Sequence, residues 1–401
     1  MTILIIAAVI GFVMSMAIGA NDVANSMATA VGAKAITIKQ AVIIAALLEF
    51  TGAFFFGKMV TETIRKGIVD PSLIKEPKIM IAGAFAALVA AAIWVFVSTF
   101  FALPISTTHS IVGGMAGFGI VAVGWHAINW GKMLFIVSSW FLSPLLGGIL
   151  AYLVFRFISW AILHREFPLN AAKKAGPFLI GITVFIVMLM FFSKALHMDI
   201  NSKPLLWSSL FGLAATAVSF FVLKRVKPRN DEYQAVEGIF RRMQVVTSCY
   251  VSLSHGANDV ANAIGPLAAI YAVVTTGVVG AQAGIPKYLL GLGGLGIALG
   301  VAILGYRVMQ TVGDNITELN NTRGFSIDFS TATTVFLASV FGLPVSSSHT
   351  VVGSIVGVGM ARGLEAINLD IIKKIAISWL LTVPLAAGTA ALLFKLFIGW
   401  F

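Results

Sequence analysis

The chain has 401 residues, of which 59 % are hydrophobic and 11 % charged, and its mean hydropathy is +0.97. Such a composition excludes a water-soluble protein, because too few polar side chains remain to cover a surface, and it names lipid as the solvent. The net charge of +11 does not point to nucleic acid: the basic residues lie in short segments between apolar runs, with little aromatic interleaving, and so report membrane topology.

Apolar runs of about the length that crosses a bilayer, roughly 17–25 residues, recur throughout, among them Ile79–Leu103, Phe178–Phe192, Leu205–Leu223 and Ile371–Phe394. The expectation is an all-α polytopic membrane protein with about ten to twelve transmembrane segments. The first run, Thr2–Ile18, lacks a basic leader and continues into Asn21-Asp22, which predicts a retained helix in place of a cleaved signal peptide. Immediately afterwards stands Gly19-Ala20-Asn21-Asp22-Val23-Ala24-Asn25-Ser26. Glu49 follows inside the apolar stretch Ala45–Phe56, and a lone buried carboxylate in a membrane segment is a functional suspect. Next comes Leu103-Pro104-Ile105-Ser106-Thr107-Thr108-His109-Ser110, then Trp140 with Pro144 a turn later, a packing and kink feature.

Two basic clusters, Arg156, Arg165, Lys173 and Lys174, then Lys224, Arg225, Lys227, Arg229, Arg241 and Arg242, flank two apolar segments. The positive-inside rule places both in the cytoplasm. Lys224–Gln234, with Pro228, Asn230 and Asp231, reads as a linker, so residues 224–242 are expected on the cytoplasmic side and both termini outside it. The single Cys249 excludes an internal disulfide framework and a cysteine metal cluster.

The second half repeats the first. Gly256-Ala257-Asn258-Asp259-Val260-Ala261-Asn262-Ala263 matches the first motif at seven of eight positions. Leu343-Pro344-Val345-Ser346-Ser347-Ser348-His349-Thr350 answers the second. Asn21 precedes Pro104 by 83 positions and Asn258 precedes Pro344 by 86, so order and spacing are kept with the motifs. Between them, Gln282 stands as a ligand or a loop residue, and Asp328 as a transport residue or an interfacial helix cap. Trp379 and Pro384 repeat the Trp-Pro pair. The reading is a duplicated unit: repeat one over 1–160, two connecting helices and the linker over 161–239, and repeat two over 240–401. An odd number of crossings per repeat inverts one against the other, a plan that puts a binding site at the repeat interface.

The chemistry follows from residue type. An ionised Asp inside an apolar run needs a partner. Asp22 with Asn21 and Asn25, and Asp259 with Asn258 and Asn262, offer carboxylate and amide oxygens on one helical face. Hard oxygen ligands suit a small hard cation such as sodium. Gly19 and Gly256 would let the helix break and expose carbonyls; the alternative is that Asn and Asp only cap a helix. In the second motif, Pro at the first turn marks a helix start with free N–H groups, a ready anion site. Ser106, Thr107 and Thr108 with Ser346, Ser347 and Ser348 add hydroxyl donors for a tetrahedral oxyanion, with Asn21 and Asn258 beside them; the alternative is that they satisfy a Pro-broken backbone. His109 and His349 are read as hydrogen-bonding that backbone in preference to binding metal or relaying protons. A multivalent anion near two carboxylates requires cations between them, which implies symport.

Both motif pairs resemble those of the inorganic phosphate transporter (PiT) family, over both repeats and essentially the whole chain apart from the linker. The resemblance implies inverted repeats with re-entrant hairpins and phosphate as substrate. It also implies transport-critical roles for Asp22, Asp259, Glu49, Asp328, Ser106 and Ser346. Asp328 departs from the Glu of several members, and the linker is far shorter than the intracellular loop of animal members. The resulting expectation is a sodium–phosphate symporter of the cell or inner membrane, working by alternating access, without a cofactor other than Na+ as co-transported ion. Its partners are phosphate, sodium and the bilayer, not nucleic acid, with a homodimer left open. Proton-coupled phosphate or metal–phosphate uptake, or sulfate transport, are the alternatives. An intramembrane enzyme built on Ser106 and His109 is disfavoured, because catalysis needs one such pair and not two.

Overall fold

The computed structural model describes residues 1–101, 105–196, 198–199, 201–227, 231–280, 284–315, 318–363 and 369–400, with side chains at all of these except 66–67, 194–195, 310–315, 369 and 371. Leu103, Pro104, Gln282 and the linker residues Pro228 and Asn230 therefore lie outside the description. The described residues form thirteen α-helices and no strand.

In the first half, α1 (Thr2–Gly32) leads to α2 (Ile38–Phe56), the short α3 (Lys58–Gly67), α4 (Pro77–Phe100), α5 (Thr107–Ala122) and α6 (Trp130–Ile158). The start of α2 is fixed by a capping box in which Thr37 and Gln40 satisfy each other's backbone N–H. Two helices follow, α7 (Pro168–Met190) and α8 (Ser202–Lys224). The second half comprises α9 (Glu232–Thr276), α10 (Lys287–Asn315), α11 (Asn321–Val340), α12 (Ser347–Arg362) and α13 (Leu369–Phe397). At 45 residues, α9 is about 68 Å long, more than twice the hydrocarbon thickness. It ends at Gly277, whose φ of 71° is the left-handed value that glycine adopts without strain.

Among the described residues, nine helices are long and apolar enough to cross a membrane: α1, α2, α4, α6 to α10 and α13. The protein is thus an all-α, multi-pass membrane protein. The expected ten to twelve segments exceed this number because α5 and α12 are only 16 residues long, and α11 is rich in Ser and Thr. Each of these three is largely buried, as a half-helix inside protein must be.

Packing is crosswise. α1 lies along α10 and α9 along α2, while α5 packs on α13 and α12 on α6. Small residues make this approach possible. A Cβ on Gly19 would strike the Ile297 carbonyl, and one on Gly256 the Glu49 carbonyl.

Those two glycines correct an expectation. Neither α1 nor α9 breaks there, because each glycine admits a neighbouring backbone while its own helix continues. The breaks fall between α4 and α5 and between α11 and α12. The linker is also shorter than expected: Asp231 caps α9, which begins at Glu232 and already carries Arg241 and Arg242.

Candidate functional site

The tips of the two helix pairs, α4–α5 and α11–α12, meet beside the middle of α1 and α9. Thr108 Oγ1 donates to the Val345 carbonyl at 3.3 Å, and Ser348 Oγ donates to the Ile105 carbonyl at 3.0 Å. These bonds are reciprocal: equivalent hydroxyls each satisfy a carbonyl of the opposite tip.

Each α5 or α12 start is built by serine, not proline. Ser106 and Ser346 are the N-caps, accepting from the N–H of His109 and His349 at 3.2 and 3.3 Å. Pro344 precedes the cap by two residues, so the expectation of Pro at the first helical turn is corrected: an Ncap hydroxyl satisfies an orphan N–H that proline cannot. Capping uses a lone pair and leaves each hydroxyl proton free to donate.

The motif helices grip these tips. On α1, Asp22 Oδ2 accepts from Thr107 Oγ1 at 2.7 Å, and Asn25 Nδ2 donates to Asp22 Oδ1 and Ser348 Oγ, both at 3.0 Å, and to Ser347 Oγ at 3.4 Å. On α9, Asn262 Nδ2 donates to Thr107 and Thr108 Oγ1, both at 3.2 Å, and to Asp259 Oδ1 at 3.3 Å. Asn21 accepts from the Ile105 N–H at 3.3 Å and donates to Thr99 at 3.0 Å. Asn258 donates to the Val345 carbonyl at 2.8 Å and to Asp259 Oδ1 at 2.9 Å. All of these side chains are buried. The asparagines therefore act as struts between helix and tip, with the amide nitrogens of Asn25, Asn258 and Asn262 on the carboxylates and that of Asn21 on Thr99.

His255, one residue before the second motif, was missed by the sequence reading. Its Nε2 lies 2.8 Å from Asp259 Oδ2 and 3.9 Å from Asp22 Oδ2, and its Nδ1 lies 3.3 Å from Glu49 Oε2. Asp22, His255 and Asp259 present ligand atoms within 4.8 Å of one another, a geometry able to hold a cation. Asn258 Oδ1 is a buried acceptor without a hydrogen-bond donor among the described residues, whereas Asp259 Oδ2 and Glu49 Oε2 share the single His255 ring. Buried oxygens of this kind call for a partner. The sequence signal for His255 was asymmetry: the corresponding place in the first copy is Ile18.

Glu49 is not a lone carboxylate, because Ser26, the last residue of the first motif, donates to its Oε1 at 2.8 Å. Nor is Asp328 an interfacial cap. Asn320 caps α11, and Asp328 sits inside that helix, buried, accepting from Thr29 of α1 and Ser248 of α9, each at 2.5 Å. Thr29 and Ser248 were likewise not singled out in the sequence. Glu49 thus adjoins the cluster through His255, whereas Asp328 is tied to α1 and α9 by a separate pair of hydroxyls.

His109 and His349 bond backbone, but that of the helices α13 and α6 in the opposite half and not the Pro-broken segment expected. Their Nδ1–H groups donate to the carbonyls of Trp379 and Trp140 at 3.2 and 3.1 Å. The carbonyl acceptor fixes the tautomer. The His349 ring stacks on Trp379, with centroids 3.5 Å apart. The Trp140 and Trp379 packing features thus form the back wall of the hairpin starts.

Residues 18–390 match the model of the phosphate transporter family. A Thermococcus kodakarensis protein named as a candidate phosphate permease is 55 % identical over 394 residues, covering 98 % of this chain and 97 % of that one. The chloroplastic inorganic phosphate transporter 2-1 of Arabidopsis thaliana is 39 % identical over 95 % of this chain and 70 % of its own. A solved structure described as the sodium-dependent phosphate transporter superimposes with a TM-score of 0.92 at 52 % identity, covering 99 % of both chains. A match of this extent, carried by the motifs that build the site, makes the chain a member of the phosphate transporter family.

Proposed function

We propose that the protein imports inorganic phosphate by symport with sodium ions, in alternating access around the site between α1, α9 and the two hairpin tips. The observation that carries this reading is the physical linkage of carboxylates to hydroxyls: Asp22 holds Thr107, while Asn25 and Asn262 each hold the opposite tip. Phosphate would take hydrogen bonds from Ser106, Thr107, Thr108, Ser346, Ser347 and Ser348, with Asn21 and Asn258 alongside. Sodium would take oxygens of Asp22 and Asp259 and of the motif asparagines Asn21, Asn25, Asn258 and Asn262. A cation there withdraws the carboxylates from their struts and offsets the charge of the entering anion. The unpartnered buried oxygen of Asn258 and the clustered ligand atoms of Asp22 and Asp259 favour this assignment. Glu49 and Asp328 serve coupling, and His109 and His349 hold the hairpin starts in place.

In this reading residues 1–160 and 240–401 are inverted repeats around the 161–239 connection. Equivalent contacts at the tips and at the His–Trp pairs support it. The linker lies in the cytoplasm and the termini outside. The protein works as a carrier and not as an enzyme.

Proton coupling is the second reading, favoured by one observation: His255 stands against three carboxylates. Phosphate uptake into proteoliposomes with and without a sodium gradient, at one pH on both sides, separates the two. Uptake that follows the sodium gradient supports the first. Sodium-independent uptake driven by a proton gradient overturns it.

A further inference from the structure

The helix pair α7–α8 does not close fully on the rest of the protein. A cavity of about 610 Å³ lies between this pair and α9. Its walls are mainly apolar, with Val184 of α7, Val222 and Val226 around the end of α8, Val246 of α9 and Phe325 of α11. Two exposed cations interrupt them, Lys227 just beyond α8 and Arg242 on α9.

The neighbouring carboxylates are engaged elsewhere. Glu232 accepts from the Leu169 N–H, and Glu237 accepts from the Asn321 and Thr322 N–H groups at the start of α11. Arg241 donates to the Ala35 carbonyl. Neither Arg242 nor Lys227 has an ion-pair or hydrogen-bond partner among the described residues. Exposed cations beside an apolar membrane cleft attract the anionic headgroups of lipid. A soluble anion would leave the apolar wall bare, and a neutral hydrocarbon would leave the cations unpaired. An amphiphile with an anionic head satisfies both, and basic pockets between membrane helices on the cytoplasmic side bind such heads.

We propose that this cleft binds one anionic phospholipid, with an acyl chain between α7 and α9 and its phosphate on Arg242 and Lys227. The site is separate from the transport machinery. Its charge complementarity selects against phosphatidylcholine, whose own cation would face Arg242.

The test is native mass spectrometry of the full-length detergent-purified protein titrated with phosphatidylglycerol or phosphatidylcholine. Phosphatidylglycerol should be retained and phosphatidylcholine lost. Arg242→Gln and Lys227→Gln should each weaken retention by about fivefold, and Arg242→Lys should keep it. Gly238 lines the cleft, and a Cβ there meets nothing within 4 Å. Gly238→Leu should therefore block the lipid while the melting temperature stays that of the parent. Millimolar inorganic phosphate should not displace the lipid. Equal retention of the two lipids, an unaffected Arg242→Gln, displacement by phosphate, or a second copy of the chain that Gly238→Leu dissociates would each overturn the assignment.

Discussion

Asp22 and Asp259 occupy the same place in the same motif, yet their surroundings differ. Asp22 accepts a hydroxyl from Thr107 at the hairpin tip, whereas Asp259 Oδ2 faces His255 at 2.8 Å. The first copy has Ile18 where the second has His255. Duplication thus supplies the frame, and a single unmatched residue sets Asp259 directly against an imidazole, while Asp22, 3.9 Å from the same Nε2, also holds the hairpin.

The strongest way to break the comparison is to remove each charge in turn. Asp22→Asn and Asp259→Asn should each lower sodium-driven phosphate uptake by about 100-fold or more, since each deletes a charged ligand buried in the membrane. Normal sodium dependence in either variant would sink the assignment of the carboxylates to cations. Next in size, Thr107→Val removes a hydrogen bond to a charged group, worth about 1.5–3 kcal/mol. Apparent sodium affinity should fall by about tenfold or more, and Ser347→Ala should do less, because among the described residues Ser347 is held by the 3.4 Å contact from Asn25 and not by a carboxylate. Equal losses would contradict the asymmetry.

His255→Ile makes the second copy resemble the first. An outer partner of ion ligands typically contributes about tenfold or more to metal affinity, so a loss of about tenfold in apparent sodium affinity is expected, with phosphate saturation little changed. A loss confined to phosphate affinity would place His255 with the anion instead. The smallest effect belongs to the frame itself. Gly19→Ala and Gly256→Ala each press a methyl against a carbonyl of the crossing helix, and overpacking of this kind costs about 1–3 kcal/mol. Both melting temperatures should drop, and by similar amounts, because this part of the frame is matched between halves. An unchanged melting temperature in one variant only would show that the crossings are not equivalent.

Much of the site was legible in the sequence because duplication marks it twice. The Asn-Asp helices and the hydroxyl tips both came from comparing the halves, whereas the carbonyls that His109 and His349 bond belong to the opposite half. What did not repeat was hard to see. His255 lies one residue outside the matching stretch. Ser26, Thr29 and Ser248 looked like ordinary helix hydroxyls, most of which in this protein return to a backbone carbonyl one turn back, as Thr51 and Thr61 do; their bonds to Glu49 and Asp328 depend on how α1, α2, α9 and α11 cross. Glycine misled for a related reason. At Gly19 and Gly256 it serves close packing between helices, and a single sequence does not distinguish that from a helix break. Proline before the hydroxyl cluster suggested the helix start, but the cap belongs to Ser106 and Ser346, whose hydroxyls accept the backbone N–H three residues on.

The central claim is that cations on the carboxylates build the anion site. Calorimetric binding of phosphate to the purified protein, repeated across sodium concentrations at fixed pH and ionic strength, tests it directly. Phosphate affinity should rise with sodium, and sodium affinity with phosphate by the same factor, as linkage demands; both effects should vanish in Asp22→Asn. Phosphate binding of equal strength with and without sodium would contradict the account.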